Sequence, residues 1–370
     1  MTSPSDIGPP RPPLWVRALT VAALLVFGLG LLLTLLRADV VALAVGQFGA
    51  TRARAALIVL LLAAAFAGSA LGRSTGRRRR LLQLVAYGSV ILATVGVWLD
   101  RTPYDVSPVS YRSSDTELAG TLYLPATPGH HPAVVIVHGT APLKRMFYGL
   151  WADRIARNGF VVLLTDKRGV GGSGGVFERN ADTTTNITRL ADDVVAGVDY
   201  LATRAEVDTA HIGLVGVDQA GWVAPRAAEH SARIRFLALI TGAPVSAGEV
   251  AAWSRLRGRA GAGAEVPRPR AEVILDTLAP SGVDSRGALA HLSIPTLWLF
   301  GGVDDRLPTV KSVRALVAVA QTGRPATWRT FPEYGHLLIG RHGALLPRVA
   351  PESWPVLLNW LFRQGGQTPP

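Results

Sequence analysis

The chain has 370 residues, 49% of them hydrophobic, and a formal net charge of +12. It has no cysteine, which excludes disulfides and thiolate chemistry. Eleven arginines against three aspartates place +8 of the charge in residues 1–101, beside apolar segments, which argues for membrane topology and against a nucleic-acid partner.

Residues 18–36, 55–71 and 81–99 carry no charge, and each is close to the roughly 20 residues needed to cross a bilayer core. Three transmembrane helices, over about 14–36, 55–71 and 81–99, are therefore expected, making residues 1–101 a membrane domain with the lipid bilayer as partner. A signal peptide would account for the first stretch alone. Arg73 and Arg77–Arg80 should hold the connection between the second and third stretches in the cytoplasm. Arg37, Arg52 and Arg54 in the first loop oppose this orientation. The reading is a multi-pass protein of the cell membrane, with everything after Asp100 extracytoplasmic.

From residue 102 the pattern changes. Residues 109–124 read as a β-hairpin turning at 113–116, ended by Pro125. Residues 131–137 form a buried apolar strand closing in His138-Gly139. A helix over 146–158, a strand over 160–165 and a helix over 186–204 follow, the last with Leu190, Val194, Val198 and Leu201 on one face. A strand over 212–217 runs through a tight turn into a helix over 220–230. Further strands are expected over 235–240, 296–300 and 326–331, and closing helices over 308–321 and 351–364. Strands alternating with helices imply an α/β fold, a mostly parallel sheet covered on both faces, for the domain 102–370. Residues 246–292 show no strand pattern and are expected to form a lid.

Strand, sharp turn, helix is the setting of the nucleophile elbow, Gly-x-Ser-x-Gly. Here the turn reads Gly216-Val-Asp218-Gln-Ala220, with Asp218 in the serine slot and Ala220 in the second glycine slot. An acyl-transfer site also needs a base, an acid to hold it and donors for an oxyanion. His336 lies on a glycine-flanked loop after a strand and is the candidate base. Asp304, just past the strand 296–300, is the first candidate for its carboxylate partner and Asp305 the second. The backbone N–H groups of Thr140 and Gln219 are the candidate oxyanion donors. Gly169, Gly171 and Gly172 follow a different strand from the nucleophile and lack a Gly-Lys-Ser/Thr, so they do not read as a phosphate loop. Neither a cofactor nor a metal is expected.

Five motifs in this order resemble the α/β-hydrolase fold, and within it the bacterial branch of esterases and acyl-thioester hydrolases. They are Val134-Val-Ile-Val-His-Gly-Thr-Ala-Pro142, Asp166-Lys-Arg-Gly-Val-Gly-Gly-Ser173, Gly216-Val-Asp-Gln-Ala-Gly-Trp-Val-Ala-Pro225, Phe300-Gly-Gly-Val-Asp-Asp-Arg-Leu-Pro308 and Tyr334-Gly-His336. The resemblance covers about residues 107–365. It implies a hydrolase acting on a small ester-like or other hydrolysable substrate, with Asp218, Asp304 and His336 as the catalytic set. In this fold the segment holding Lys167 and Arg168 serves mainly to position loops.

Asp218 changes the chemistry. Aspartate attack on a carboxylic ester would form an anhydride, and the carboxylate would leave before the alkoxide. In the haloalkane dehalogenase and epoxide hydrolase branches of the fold, aspartate instead attacks a saturated carbon. Those branches use a Trp after the aspartate, or lid tyrosines; here Gln219 follows, and 246–292 holds no tyrosine. Asp218 could also act as a base on water, or belong to a degenerate site used for binding. A second carboxylate beside Asp304 should raise one pKa of the set.

Overall fold

A computed structural model describes residues 14–15, 18, 21–27, 63–64, 67–68, 76–99, 103–179, 182–258, 265–340 and 348–367. Contacts divide the chain into two units, Met1–Arg101 and Thr102–Pro370.

The described residues of the first unit are helical, and the longest helix among them is α1, Gly76–Leu99. Ala23, Ala67, Leu82 and Val85, one or two from each apolar stretch, are buried together, with Phe27 and Ala86 against them. Leu25, Leu84 and Ile91 point outward and are more than half exposed. Among the described residues no helix is long and apolar enough to cross a membrane. Most of the stretches 18–36 and 55–71 lies outside the described residues, so the expected first and second spans go unsupported.

The second unit is built on one eight-stranded sheet, in the order β1-β2-β4-β3-β5-β6-β7-β8. A hairpin, β1 (Tyr104–Ser113) and β2 (Thr116–Pro125), forms one edge, and Ser114 in its turn has φ 52°. The hairpin begins five residues before the expected start at 109. Pro108 and the exposed polar residues around it hide this edge strand from a hydrophobic pattern. β2 pairs antiparallel with β4 (Val161–Thr165); β3 (His131–Val137), β4, β5 (Val207–Val217), β6 (Ile234–Ile240), β7 (Thr296–Gly301) and β8 (Ala326–Phe331) are parallel. β3 is buried at every position, as a strand covered on both faces must be.

Helices cover both faces. α3 (Thr184–Ala202) and α4 (Ala220–His230) lie on one, with Leu190, Val198, Trp222 and Val223 in a core that includes Val135, Leu163, Leu214 and Leu239. α3 starts where the Thr183 side chain accepts the Asn186 N–H, an N-cap. On the other face lie α2 (Gly149–Ala156) and α9 (Ser353–Gln364), whose Trp151 and Trp354 rings sit 4.5 Å apart. The expected helix 146–158 is shorter, because Arg145–Tyr148 winds as a 3-10 turn before α2.

Between β6 and β7 three helices form a cap: α5 (Ala247–Leu256), α6 (Arg268–Asp276) and α7 (Arg286–His291). Ser246 and Glu249 make a capping box at the start of α5. α8 (Thr309–Gln321) follows β7.

The parallel register decides where the site falls. Val137 pairs with Gly216, Val217 with Ile240, and Gly301 with Phe331. The residues that follow each strand, His138, Asp218, Thr241 and Asp304, therefore gather at the carboxyl edge of the sheet, the usual place for a site in an open α/β fold.

Candidate active site

The turn between β5 and α4 has the backbone of an elbow. Asp218 sits at φ 53°, a left-handed conformation that costs a non-glycine residue energy and exposes its side chain above the sheet. Its N–H donates to Ile240 O (3.1 Å), and its own carbonyl accepts the Gly221 N–H (3.0 Å). Space dictates the neighbours. A Cβ on Gly216 would lie 2.3 Å from that of Ala220, and one on Gly221 would lie 2.3 Å from Ala243 N. Pro225 inside α4 has no N–H to offer the Gly221 carbonyl, and the Ser285 hydroxyl donates there instead (2.7 Å).

Asp218 is 35% exposed, and its two oxygens face different partners. Thr140 N–H donates to Oδ2 at 2.9 Å. Oδ1 lies 3.9 Å from His336 Nε2, beyond a direct hydrogen bond.

His336 Nδ1 lies 2.9 Å from Asp304 Oδ2. Asp304 is fully buried, and its Oδ1 accepts the N–H groups of Arg306 (2.7 Å) and Leu307 (3.0 Å). Asp305, the other candidate, turns to the cap, where it accepts from Arg257 and Arg268. The loops carrying Asp304 and His336 are packed backbone to backbone; a Cβ on Gly301 would lie 2.3 Å from Gly335 O. Leu337, next to the histidine, is held at φ 56° with its N–H toward Thr241 Oγ1. Burial lowers the affinity of the His336 ring for a proton. Its hydrogen bond to Asp304 and the charges of Asp304 and Asp218 outweigh this, and its pKa is raised above the ordinary imidazole value.

Gln219 is fully buried. Its side chain bridges Lys167 Nζ (2.8 Å) and Asp182 Oδ1 (3.1 Å). Lys167 also donates to the carbonyl of Gly139. Burial depresses its pKa to about 8, against the opposing charges of Asp218 and Asp182. Tyr148 carries no sequence signal that would have singled it out, whereas its neighbour His138 closes the first strand motif. Tyr148 accepts the Gly139 N–H on its hydroxyl (2.9 Å) and packs tilted against His138, the ring centres 4.2 Å apart. His138 is buried, and burial with the Lys167 charge holds its pKa near 3, so the ring is neutral. In the cap, Trp253 Nε1, the indole donor of 246–292, is spent on the Asp304 carbonyl (3.1 Å). It therefore does not point a free donor at the pocket.

A mostly parallel sheet with an elbow, an imidazole and a buried carboxylate at its carboxyl edge defines an α/β-hydrolase. The model of the prolyl oligopeptidase family matches residues 150–364, more than half of the chain, and the chain belongs to that family. Thiohydrolase aneE of Aspergillus aculeatus is 33% identical over 139 residues, 37% of this chain and 42% of that protein. The quorum-quenching protein AidA of Acinetobacter baumannii is 25% identical over 127 residues, 34% of this chain and 40% of that protein. The chain thus spans less than half the length of these two relatives. Among solved structures, the uncomplexed acylaminoacyl peptidase of Pyrococcus horikoshii superposes with a TM-score of 0.54 at 16% identity, covering 74% of this chain and 44% of that one. An esterase of Pyrococcus furiosus superposes at 0.52 and 15% identity, covering 71% and 92%. The structural likeness shows the fold, and membership of the family supports a hydrolase.

Proposed function

We propose that this hydrolase works through Asp218 as a nucleophile on a saturated carbon of a small substrate, with His336 as base and Asp304 holding the imidazole. The observation that carries this reading is the 2.9 Å hydrogen bond from Thr140 N–H to Asp218 Oδ2. A donor that would serve an incoming acyl oxygen is already engaged by the aspartate. It is placed instead to hold an oxyanion formed on Asp218 itself. Oδ1 attacks the carbon, an alkyl aspartyl ester forms, and the leaving group departs with the bonding electrons. His336 Nε2 then takes a proton from water, which attacks Cγ of Asp218. The resulting oxyanion sits on Oδ2 against Thr140. The Cγ–Oδ1 bond breaks, the alkoxide takes the proton back from His336, and Asp218, which keeps one oxygen from water, releases the second water proton to solvent and regains its charge. Gln219 N–H is the second candidate donor to that oxyanion.

A second reading keeps ester substrates. His336 and Asp218 would together orient a water that attacks the substrate carbonyl directly, their Nε2 and Oδ1 atoms standing 3.9 Å apart. Heavy-oxygen water separates the two. Under the first reading, repeated turnover of a panel of epoxides, haloalkanes and esters places the label in the Asp218 peptide. Under the second, the label enters product alone. A chain that turns over and leaves Asp218 unlabelled defeats the nucleophile reading.

We further infer that residues 1–101 attach the enzyme to the cell membrane, with the hydrolase unit on the extracytoplasmic side. The support is the three charge-free stretches and the arginines at 73 and 77–80. In the first unit, small residues such as Ala23 and Ala67 are buried, while Leu25, Leu84 and Ile91 face outward, the arrangement lipid favours. A carboxyl-terminal reporter active only in the cytoplasm should stay silent; strong signal reverses the orientation.

A further inference from the structure

Lys167 reaches Asp218 through a single peptide unit. In a trans peptide the carbonyl of one residue and the N–H of the next point in opposite directions. The Gly139 carbonyl accepts from Lys167 Nζ, while the Thr140 N–H of the same unit donates to Asp218 Oδ2 at 2.9 Å. The ammonium therefore fixes one end of a dipole whose other end meets the carboxylate. A second ammonium proton goes to Gln219 Oε1 at 2.8 Å, and the Thr140 carbonyl lies at 3.5 Å. Both candidate oxyanion residues, one on the β3 loop and one on the elbow, are tied to the same nitrogen.

We propose that Lys167 is a positioning residue of this site: its ammonium holds the Gly139–Thr140 peptide and the Gln219 side chain so that the Thr140 N–H is aimed at Asp218. The proposal rests on the reading of Asp218 given above only for its catalytic consequence; the positioning itself concerns the free protein.

The surroundings make this hold depend on protonation. Lys167 is faced by Asp218 at the end of β5 and by Asp182 before α3, both of which favour the charged amine. Behind it lies a small cavity, lined also by His138, Asp166, Arg168 and Asp193. There the charges are matched, Arg168 with Asp193 and Arg145 with Asp166, and His138 is neutral. Phe177 lies on the remaining side, its ring centre 5.8 Å from Nζ. Burial outweighs the two nearby carboxylates and brings the amine to about 8, so that it loses its proton within an accessible range. Loss of that proton removes the charge from the Gly139 carbonyl and loosens the aim of Thr140.

The test follows the Thr140 amide by nuclear magnetic resonance in the full chain labelled with 15N-threonine, between pH values of about 6 and about 10. In the native chain the amide signal should move with a midpoint near 8. In Lys167→Arg, whose guanidinium keeps its charge, that step should vanish while the fold persists. Lys167→Met should displace the signal at every pH. The same titration in His336→Gln removes the other group that protonates nearby, and the step should remain. An amide signal left in place by Lys167→Met, or an unchanged step in Lys167→Arg, overturns the proposal. Failure of the Asp218 reading leaves the amide titration intact, so the two outcomes are distinguishable. For a substrate found to turn over, the alkaline fall of kcat should also be missing in Lys167→Arg.

Discussion

Arg257 Nε lies 3.0 Å from Asp305 Oδ1, latching the cap to the loop that presents Asp304 to His336. Adjacent carboxylates thus have separate tasks, one directed at the imidazole and one at the cap. The two should separate cleanly on mutation. Asp304→Asn leaves the imidazole without its anionic partner and should lower kcat by roughly 10²- to 10⁴-fold. Asp305→Ala removes a carboxylate from Arg257 and Arg268 and should cost about 1–2 kcal/mol of stability, with a smaller loss of rate. Urea unfolding and steady-state kinetics on both variants decide the matter. Equal losses of rate would place Asp305 in the same role as Asp304.

His336 gives the site a pH dependence with a definite sign. Its folded pKa is raised above 6.5, because Asp304 and Asp218 more than offset burial. Protonation of this ring therefore favours the folded state. The contribution is fully present below the unfolded pKa and is lost as pH rises through the raised folded value. Activity runs the other way, since the base must be neutral to accept a proton. The acid limb of kcat should fall above the ordinary imidazole value and move to lower pH in Asp304→Asn. Carbon-detected titration of the ring in the free protein should give the raised midpoint, and the acid limb of kcat, which reports the ring beside an esterified and uncharged Asp218, should lie below it.

How much of this could be read from the chain depends on the range of the interaction. The elbow was legible because Gly216 and Gly221 mark places where backbone and small side chains meet, and such contacts leave a local pattern. The parallel strands were legible as apolar runs, whereas β1 began earlier than its hydrophobic alternation shows. Asp304 ranked ahead of Asp305 in the sequence, although either suits a Gly-Gly turn; the task of Asp305 was not legible there, because it depends on the three-dimensional positions of Arg257 and Arg268. Tyr148 left the least trace, and Lys167, although inside one of the five motifs, gave no sign of the contacts it makes. Their partners lie at least nine positions away, and both act through backbone groups that any residue type supplies.

The packing at the elbow predicts an ordering of small-residue changes. A methyl at Gly221 would collide with the Ala243 backbone, which cannot rotate away. Gly221→Ala should therefore cost about 1–3 kcal/mol and also disturb the Asp218 turn. Ala220→Gly removes a methyl that faces the vacant side of Gly216 and relieves no clash. It should change rate little and reduce stability by about 1 kcal/mol, as glycine does near a helix start. Thermal unfolding of the two variants tests the order; a more active Ala220→Gly enzyme would mean that the methyl crowds the turn after all.

Replacing Asp218 by serine separates the chemistry of the slot from that of the fold. The elbow backbone is set by Gly216, Gly221 and the bond from Asp218 N–H to Ile240, none of which needs a carboxylate. The variant should therefore fold. Serine lacks Oδ2, so the Thr140 N–H is freed to meet an oxyanion from substrate. It also lacks the charge that helps hold His336 protonated, and the imidazole becomes a readier base near neutral pH. Nε2 would then face a hydroxyl while Asp304 still holds Nδ1. Asp218→Ser should accordingly gain hydrolysis of short activated esters, with an initial burst as an acyl-serine forms. It should lose turnover of any substrate that depends on an aspartyl ester. A folded Asp218→Ser protein with no ester hydrolysis would show that Thr140, Gln219 and His336 are not arranged for acyl transfer. A variant that keeps the native turnover unchanged would remove Asp218 from the chemistry altogether.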